Sequence, residues 1–180
     1  SLDLKEGEIL GIVGESGAGK SITGAAILGL IPSPGKLSSG TISLKGQRID
    51  LNPKIVRGSK ISMIFQDPLV SLNPLRRIGD QLVETIQAHS PCSLVEAVKR
   101  ARKSLEEVGI DPHRFDAYPH TFSGGMRQRV VIALALAPGP AVIVADEPTT
   151  SLDVSNQAQI LGLLKKLCKE KKTSVILITH

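Results

Sequence analysis

The chain has 180 residues, and 22 lysines and arginines against 17 aspartates and glutamates give it a net charge of +5. Hydrophobic residues make up 41% of it, enough for a core, which excludes intrinsic disorder, and the length suits one domain. With three Phe, one Tyr and no Trp, a surface that stacks nucleic-acid bases on aromatic rings is not expected.

Short apolar runs alternate with amphipathic segments along the chain. Strands are predicted over residues 9–13, 41–45, 61–65, 141–145 and 174–179. Helices are predicted over residues 21–30, 78–88, 94–108, 126–137 and 154–171. Buried strands that alternate with helices indicate an α/β fold with a mainly parallel sheet, to which the half-buried run 41–45 adds a small separate β portion.

A helical block interrupts this alternation. We therefore expect one domain over 1–180, with an α/β core formed by 1–66 and 138–180 and an inserted helical subdomain over 67–137. The basic residues are dispersed, and two of their runs, 99–103 and 165–172, lie on helical segments, which favours solvated helix faces over a nucleic-acid or lipid surface. Because the chain begins with Ser1 and stops at His180, directly after a strand-like run, we expect a fragment of a longer protein.

A glycine-rich loop follows the first predicted strand and precedes the first predicted helix. It matches the phosphate-loop pattern GxxxxGK[ST] through Gly14, Glu15, Ser16, Gly17, Ala18, Gly19, Lys20 and Ser21. Glycines let backbone N–H groups turn inward toward phosphate oxygens, and the helix start adds partial positive charge. Lys20 is expected to reach the β- and γ-phosphates and Ser21 to bind Mg²⁺, so the pattern predicts a nucleoside triphosphate site.

Two carboxylates end the fully apolar strand 141–145. Asp146 is expected to hold Mg²⁺, directly or through water, at the carboxyl end of the sheet, where α/β proteins bind ligands. Glu147 is expected to point to the other side of the strand and to act as the general base that polarises an attacking water. Together with the phosphate loop, the pair predicts a nucleotide-hydrolysing site.

A second anion-binding turn precedes the helix predicted over 126–137. It consists of Ser123, Gly124 and Gly125, and such a turn at a helix start can bind phosphate. The first loop already provides the phosphate site for one nucleotide. The second turn is therefore expected to complete the binding site of a nucleotide held by another chain. This predicts a head-to-tail dimer with ATP between the subunits.

These motifs and their order resemble the ATP-binding cassette family of ATPases over essentially the whole chain. The resemblance rests on the loop 14–21, Gln66, the signature turn 123–126, Asp146-Glu147, the dimer-contact loop Ser151-Leu152-Asp153 and His180. It implies a P-loop ATPase with ATP and Mg²⁺ as ligands. It assigns Gln66 to Mg²⁺, the attacking water and coupling to a membrane partner. It also assigns Ser123 and Gly125 to the γ-phosphate in the opposite subunit, and His180 to the γ-phosphate and water.

Three segments resemble one branch of that family, the bacterial oligopeptide and dipeptide importers. They are residues 63–74, 118–129 and 145–154, and Phe122 and Met126 replace the Leu and Gln common elsewhere in the family. The branch also includes nickel and glutathione importers. The resemblance therefore implies an ATPase that powers uptake of peptides or related small solutes.

The resemblance also implies partners and a location. A homodimer or heterodimer of ATPase subunits docks under two transmembrane permeases at the cytoplasmic face of the inner membrane, through the helical block. A periplasmic or lipoprotein solute-binding protein acts indirectly, and no nucleic acid takes part. The alternative is a soluble cassette ATPase that acts on ribosomes or DNA, but we see neither the second cassette nor the long coiled coil of such proteins. A non-hydrolysing cassette is disfavoured by the intact Lys20, Asp146, Glu147 and His180.

Overall fold

A computed structural model describes residues 1–150 and 152–180. Its strands in the described part are β1 (Ile9–Val13), β2 (Ser43–Leu44), β3 (Gln47–Arg48), β4 (Ile61–Ile64), β5 (Val142–Asp146) and β6 (Ser174–Thr179). Its α-helices there are α1 (Lys20–Ile27), α2 (Pro68–Ser71), α3 (Ile78–His89), α4 (Leu94–Glu107), α5 (Gly124–Leu136) and α6 (Val154–Lys171). Short 3₁₀ turns cover Pro53–Ile55, Pro112–Asp116 and Pro119–Thr121.

Four strands form one parallel sheet in the order β1-β6-β5-β4. Ile9 pairs with Val175, Val142 with Ser174, and Ile61 with Val142. Because all four strands run the same way, the residues that follow them meet at one edge of the sheet. The predicted mainly parallel α/β sheet is confirmed, and this edge carries the candidate site.

A separate two-stranded antiparallel sheet pairs β2 with β3. The sequence pattern predicted a single strand over 41–45, which is wrong in length, and it missed β3. Lys45 and Gly46 have positive φ angles of 49° and 78°, the conformation of a two-residue hairpin turn. Asp50 steadies this hairpin by accepting from the Arg48 guanidinium and the Ile42 N–H, and these bonds lower the pKa of Asp50 to about 2.

Helix α1 packs closely on one face of the sheet. A Cβ placed on Gly24 would lie 3.0 Å from Val144 Cγ1 and 3.1 Å from Ile178 Cδ1. A glycine at this position therefore lets the helix approach β5 and β6, the two central strands. The approach fixes the start of α1 relative to the carboxyl end of β5.

The helical block packs on the other face and shares a core with the sheet. Leu82, Ile86, Leu105 and Ile132 are fully buried in the same apolar cluster as Ile143 of β5. Burial of side chains this large is the main stabilising contribution, at about 1.5–3 kcal/mol each. In the described part of the chain, no helix is both long enough and apolar enough to cross a membrane.

Candidate functional site

The phosphate loop joins β1 to α1. Gly17 and Gly19 have φ angles of +82° and +83°, in the left-handed region that glycine adopts without steric cost. The buried Lys20 turns back into the loop, and its Nζ donates to the carbonyl oxygens of Gly14 (2.7 Å) and Glu15 (2.8 Å). The loop thus curls around an ammonium group.

The start of α1 has the character of an anion site. Among the described residues, no side chain caps this helix and no acidic residue lies in its first turn. The first N–H groups of a helix have no partners within the helix, and the helix dipole places partial positive charge there. Together with Lys20, the loop offers backbone donors and a full positive charge to an anion.

The loop meets β5 through a direct hydrogen bond. The Ser21 hydroxyl donates to Asp146 Oδ1 over 3.0 Å. Burial raises the pKa of Asp146, while the Ser21 bond opposes that rise. A hydroxyl and a carboxylate fit Mg²⁺, which prefers oxygen ligands and usually keeps phosphate and water ligands besides one or two carboxylates. No cluster of three or more His, Cys, Asp or Glu side chains suited to a metal occurs in the described ranges.

Glu147 does not continue the strand. Strand β5 ends at Asp146, and Glu147 has a φ of +45°, while its N–H donates to Ile178 O over 3.0 Å. The prediction that Glu147 points away from Asp146 because both lie on one strand is therefore wrong, since Glu147 is not part of the strand. A left-handed turn, rather than the pleat of a strand, sets the direction of this side chain.

Three polar groups converge on one oxygen of that side chain, Glu147 Oε2. Gln66 Nε2 donates to it over 3.1 Å, and Thr150 Oγ1 donates over 2.9 Å. His180 Nδ1 lies 3.5 Å away, and the side chain of Glu147 is 18% exposed against 62% for His180. The sequence prediction named Glu147, Gln66 and His180, which the structure brings together. It missed Thr150, although a hydroxyl three residues after a carboxylate, across a proline, is a turn signal.

The signature turn lies at the start of α5, two residues earlier than the predicted helix. Ser123 Oγ accepts from Met126 N–H over 3.3 Å, and this cap begins the helix. A Cβ on Gly125 would lie 2.9 Å from Asn156 Oδ1 of α6, so the turn abuts that helix. Among the hydrogen bonds of the described residues, none joins this turn to the phosphate loop, Asp146 or Glu147. Ser151 of the predicted dimer-contact loop falls outside the described residues.

The sequence profile of a protein family described as "ABC transporter" matches residues 1–150. That match covers most of the chain, including the phosphate loop, the signature turn and the Asp146-Glu147 pair. The chain belongs to the ABC transporter family. The resemblance found in the sequence is thereby confirmed.

Curated relatives include several peptide transport proteins of this ABC transporter family. The chain is 53% identical over 186 residues to the oligopeptide transport ATP-binding protein OppD of Bacillus subtilis (strain 168), covering 98% of the chain and 51% of that protein. It is 50% identical to the dipeptide transport ATP-binding protein DppD of the same organism, covering 100% and 56%. The chain thus spans about half the length of the curated relatives it matches.

Solved structures of ATP-binding cassettes share the fold. The dimeric post-hydrolysis structure of the cassette MJ0796 bound to ADP and Pi matches with a TM-score of 0.80 at 32% identity, covering 99% of this chain and 77% of that one. The structure of cbiO1 from Clostridium perfringens, part of the ABC transporter complex cbiONQ, matches with a TM-score of 0.84 at 30% identity, covering 99% and 69%. The predicted P-loop fold with a mainly parallel sheet is confirmed.

Proposed function

We propose that this chain is the ATP-binding and hydrolysing part of an ABC importer that powers peptide uptake. Three features meet at one edge of the sheet: the loop around Lys20, the Ser21–Asp146 hydrogen bond, and the groups that donate hydrogen bonds to Glu147. Their meeting is the observation that carries the proposal. The identities of about 50% to OppD and DppD support the peptide class, with nickel or glutathione as related cargo.

The phosphate loop binds the triphosphate of ATP. The ammonium of Lys20 leaves the carbonyls of Gly14 and Glu15 to pair with the β- and γ-phosphates, and the loop N–H groups take the remaining oxygens. The remaining loop residues, Ser16, Gly17, Ala18 and Gly19, serve as the backbone cradle. Positive charge offered by a preformed loop is the main source of binding.

Ser21, Asp146 and Gln66 would hold Mg²⁺. Bound there, the ion would supply positive charge against the phosphate oxygens. Asp146 would serve as a metal ligand despite its burial, because a cation beside it favours the carboxylate form. The Ser21–Asp146 hydrogen bond already holds these two oxygen atoms close to one another.

Glu147 accepts the proton of the attacking water. The partly buried carboxylate lies beside Gln66 and His180, whose polar groups orient the water and the γ-phosphate. As the water oxygen attacks phosphorus, its proton passes to Glu147 and the bond to the ADP leaving oxygen breaks. The products are ADP and inorganic phosphate.

A second protomer completes the site. The turn formed by Ser123, Gly124 and Gly125 is joined to its own nucleotide loop by no hydrogen bond of the described residues, and Ser123 and Gly124 are exposed. The capped start of α5 is suited to the γ-phosphate of ATP held by the opposite subunit. The dimeric state of the MJ0796 cassette is consistent with this arrangement.

The permease partners are proposed to dock on the helical block. A groove lined by residues 69–74 together with Arg76, Glu84 and Leu134 lies beside α2 and α3. Leu69 and Val70 at its rim are 56% and 80% exposed. Apolar side chains exposed in this way suit a protein partner, here two transmembrane subunits. A solute-binding protein would deliver the cargo to those subunits. The chain would then be peripheral, on the cytoplasmic face of the membrane.

Reconstitution of the full natural protein with its permeases tests the proposal. ATP hydrolysis should drive peptide accumulation in proteoliposomes, and Glu147→Gln should slow both at least about 100-fold while leaving an ATP-bound dimer that elutes at twice the protomer mass. Thr41→Ala, in a segment away from the site, serves as the matched control. Purification with ribosomes or DNA instead of membrane proteins would overturn the transport function, and a Glu147→Gln protein that stays monomeric with saturating ATP would overturn the sandwich.

A further inference from the structure

We propose that Thr150 is a positioning residue for Glu147, whose hydroxyl holds Oε2 so that Oε1 is directed to the attacking water. The inference rests on the proposed function of Glu147 as general base and names a residue to which the sequence analysis assigned no role. In the described part of the chain, Oε1 accepts no hydrogen bond, whereas Oε2 accepts from Gln66 and Thr150. The two oxygens of one carboxylate are thus unequal.

The backbone brings Thr150 to this position. Glu147 has a φ of +45°, and the Thr150 N–H donates to Glu147 O over 3.3 Å, which closes a turn over residues 147–150. The buried Pro148 restricts the backbone within that turn. The turn therefore folds the Thr150 hydroxyl back to within 2.9 Å of the carboxylate.

Thr150 differs from the other two groups in where it is anchored. Gln66 follows β4 and precedes the helical block, and His180 follows β6 with a side chain 62% exposed. Both are proposed to turn toward Mg²⁺, water or phosphate during the reaction. The Thr150 bond lies within the turn that Glu147 itself begins, so it survives when those side chains move. It is the contact that keeps the carboxylate oriented at the moment of proton transfer.

Loss of this hydroxyl should weaken catalysis without weakening ATP binding. Thr150 contributes no group to the phosphate loop, so the KM for ATP should change by less than about twofold, whereas kcat should fall about tenfold because a base free to rotate is misplaced for part of the time. A serine keeps the hydroxyl and should retain most of kcat. A purely structural role would affect serine and valine variants through stability rather than through kcat alone.

The test measures kcat and KM for ATP in the full natural protein assembled with its partners. The variants are Thr150→Val, which keeps the side-chain shape, Thr150→Ser and Thr150→Ala. Thr149→Val is the matched control, because the Thr149 hydroxyl donates no hydrogen bond among the residues that the structure describes. Each variant is also introduced beside Glu147→Gln and followed in single-turnover hydrolysis. In that background, Thr150→Val should not lower the hydrolysis rate further, because Thr150 acts through the Glu147 carboxylate, which is absent there.

The outcomes separate this inference from the proposed function. It is supported if valine and alanine lower kcat at constant KM, serine restores it and the loss vanishes beside Glu147→Gln. It is overturned if Thr150→Val matches the wild type, if serine is as impaired as valine, or if KM rises in parallel with the fall in kcat. If Thr150→Val does not fold, the alanine and serine pair decides by the same criteria. If instead Glu147→Gln hydrolyses ATP as fast as the wild type, the proposed function itself fails.

Discussion

The hydroxyl of Ser21 donates to Asp146 Oδ1 over 3.0 Å, joining residues that lie 125 positions apart in the chain. Ser21 belongs to the first turn of α1, and Asp146 is the last residue of β5, a strand on which α1 packs. Both oxygens thus depend on the packing of α1 against the sheet. Substitutions at the phosphate loop and at the strand end should therefore affect one common site.

Lys20→Ala should remove nucleotide binding at the phosphate loop. The ammonium is the one full positive charge inside the loop, where it contacts Gly14 O and Glu15 O, and its loss should lower kcat/KM for ATP by at least about 100-fold. The measurement is steady-state hydrolysis with a fluorescent-nucleotide titration. Lys54→Ala, an exposed lysine in a 3₁₀ turn, is the control. Undiminished turnover in Lys20→Ala would refute the assignment of the loop.

Asp146→Asn should raise thermal stability while it abolishes hydrolysis. Burial raises the pKa of Asp146, so at pH 7 the native fold holds a carboxylate that would be better solvated in the unfolded chain. A neutral amide removes that cost, and without Mg²⁺ and nucleotide the melting temperature should rise by a few degrees. The difference should shrink as the pH falls through the raised pKa, where the wild-type carboxyl becomes neutral. Asp3→Asn, which is exposed, should show no such gain.

Ser123→Arg should stop hydrolysis and leave ATP binding at the phosphate loop of the monomer unchanged. Ser123 caps α5 and is exposed, so a large cation at this position should block the proposed approach of a second protomer and leave the phosphate loop free. Equilibrium ATP binding by the monomer should stay within about twofold of the wild type, while turnover falls at least about tenfold. Ser123→Thr keeps the cap and is the control. Lost nucleotide binding in the monomer would contradict a role in the opposite site.

Two helical glycines should respond to alanine in opposite directions. A Cβ on Gly79 in α3 would overlap the Phe115 ring, so Gly79→Ala should destabilise the fold by about 1–3 kcal/mol. Gly162 in α6 has open space, and Gly162→Ala should stabilise it by about 0.5–1 kcal/mol through the better helix propensity of alanine. Urea unfolding measures both. Shifts of the same sign would show that the packing at one of these positions differs from that described.

The sequence predicts those parts of the molecule that depend on local pattern. The sheet strands, the phosphate loop and the carboxylates at the end of β5 follow from apolar runs and spacing, and the structure has them. The sequence pattern predicts β2 with the wrong length and does not predict β3, because strands of two residues carry too little periodicity. The positive φ of Glu147 accompanies the backbone pairing of Glu147 N–H with Ile178 O, a long-range contact that no local pattern encodes. The Thr150 contact, by contrast, has a local signal in the hydroxyl three residues after the carboxylate.

The helical block connects β4 to β5, two strands that are direct neighbours in the sheet. The block is therefore the crossover connection between two parallel strands. Its length need not affect the pairing of Ile61 with Val142, because that pairing is made by the strands themselves. Insertions or deletions in the segment between α3 and α4, around Ser90 and Pro91, should therefore leave the sheet register unchanged. A tag or reporter inserted there should accordingly leave the nucleotide site intact.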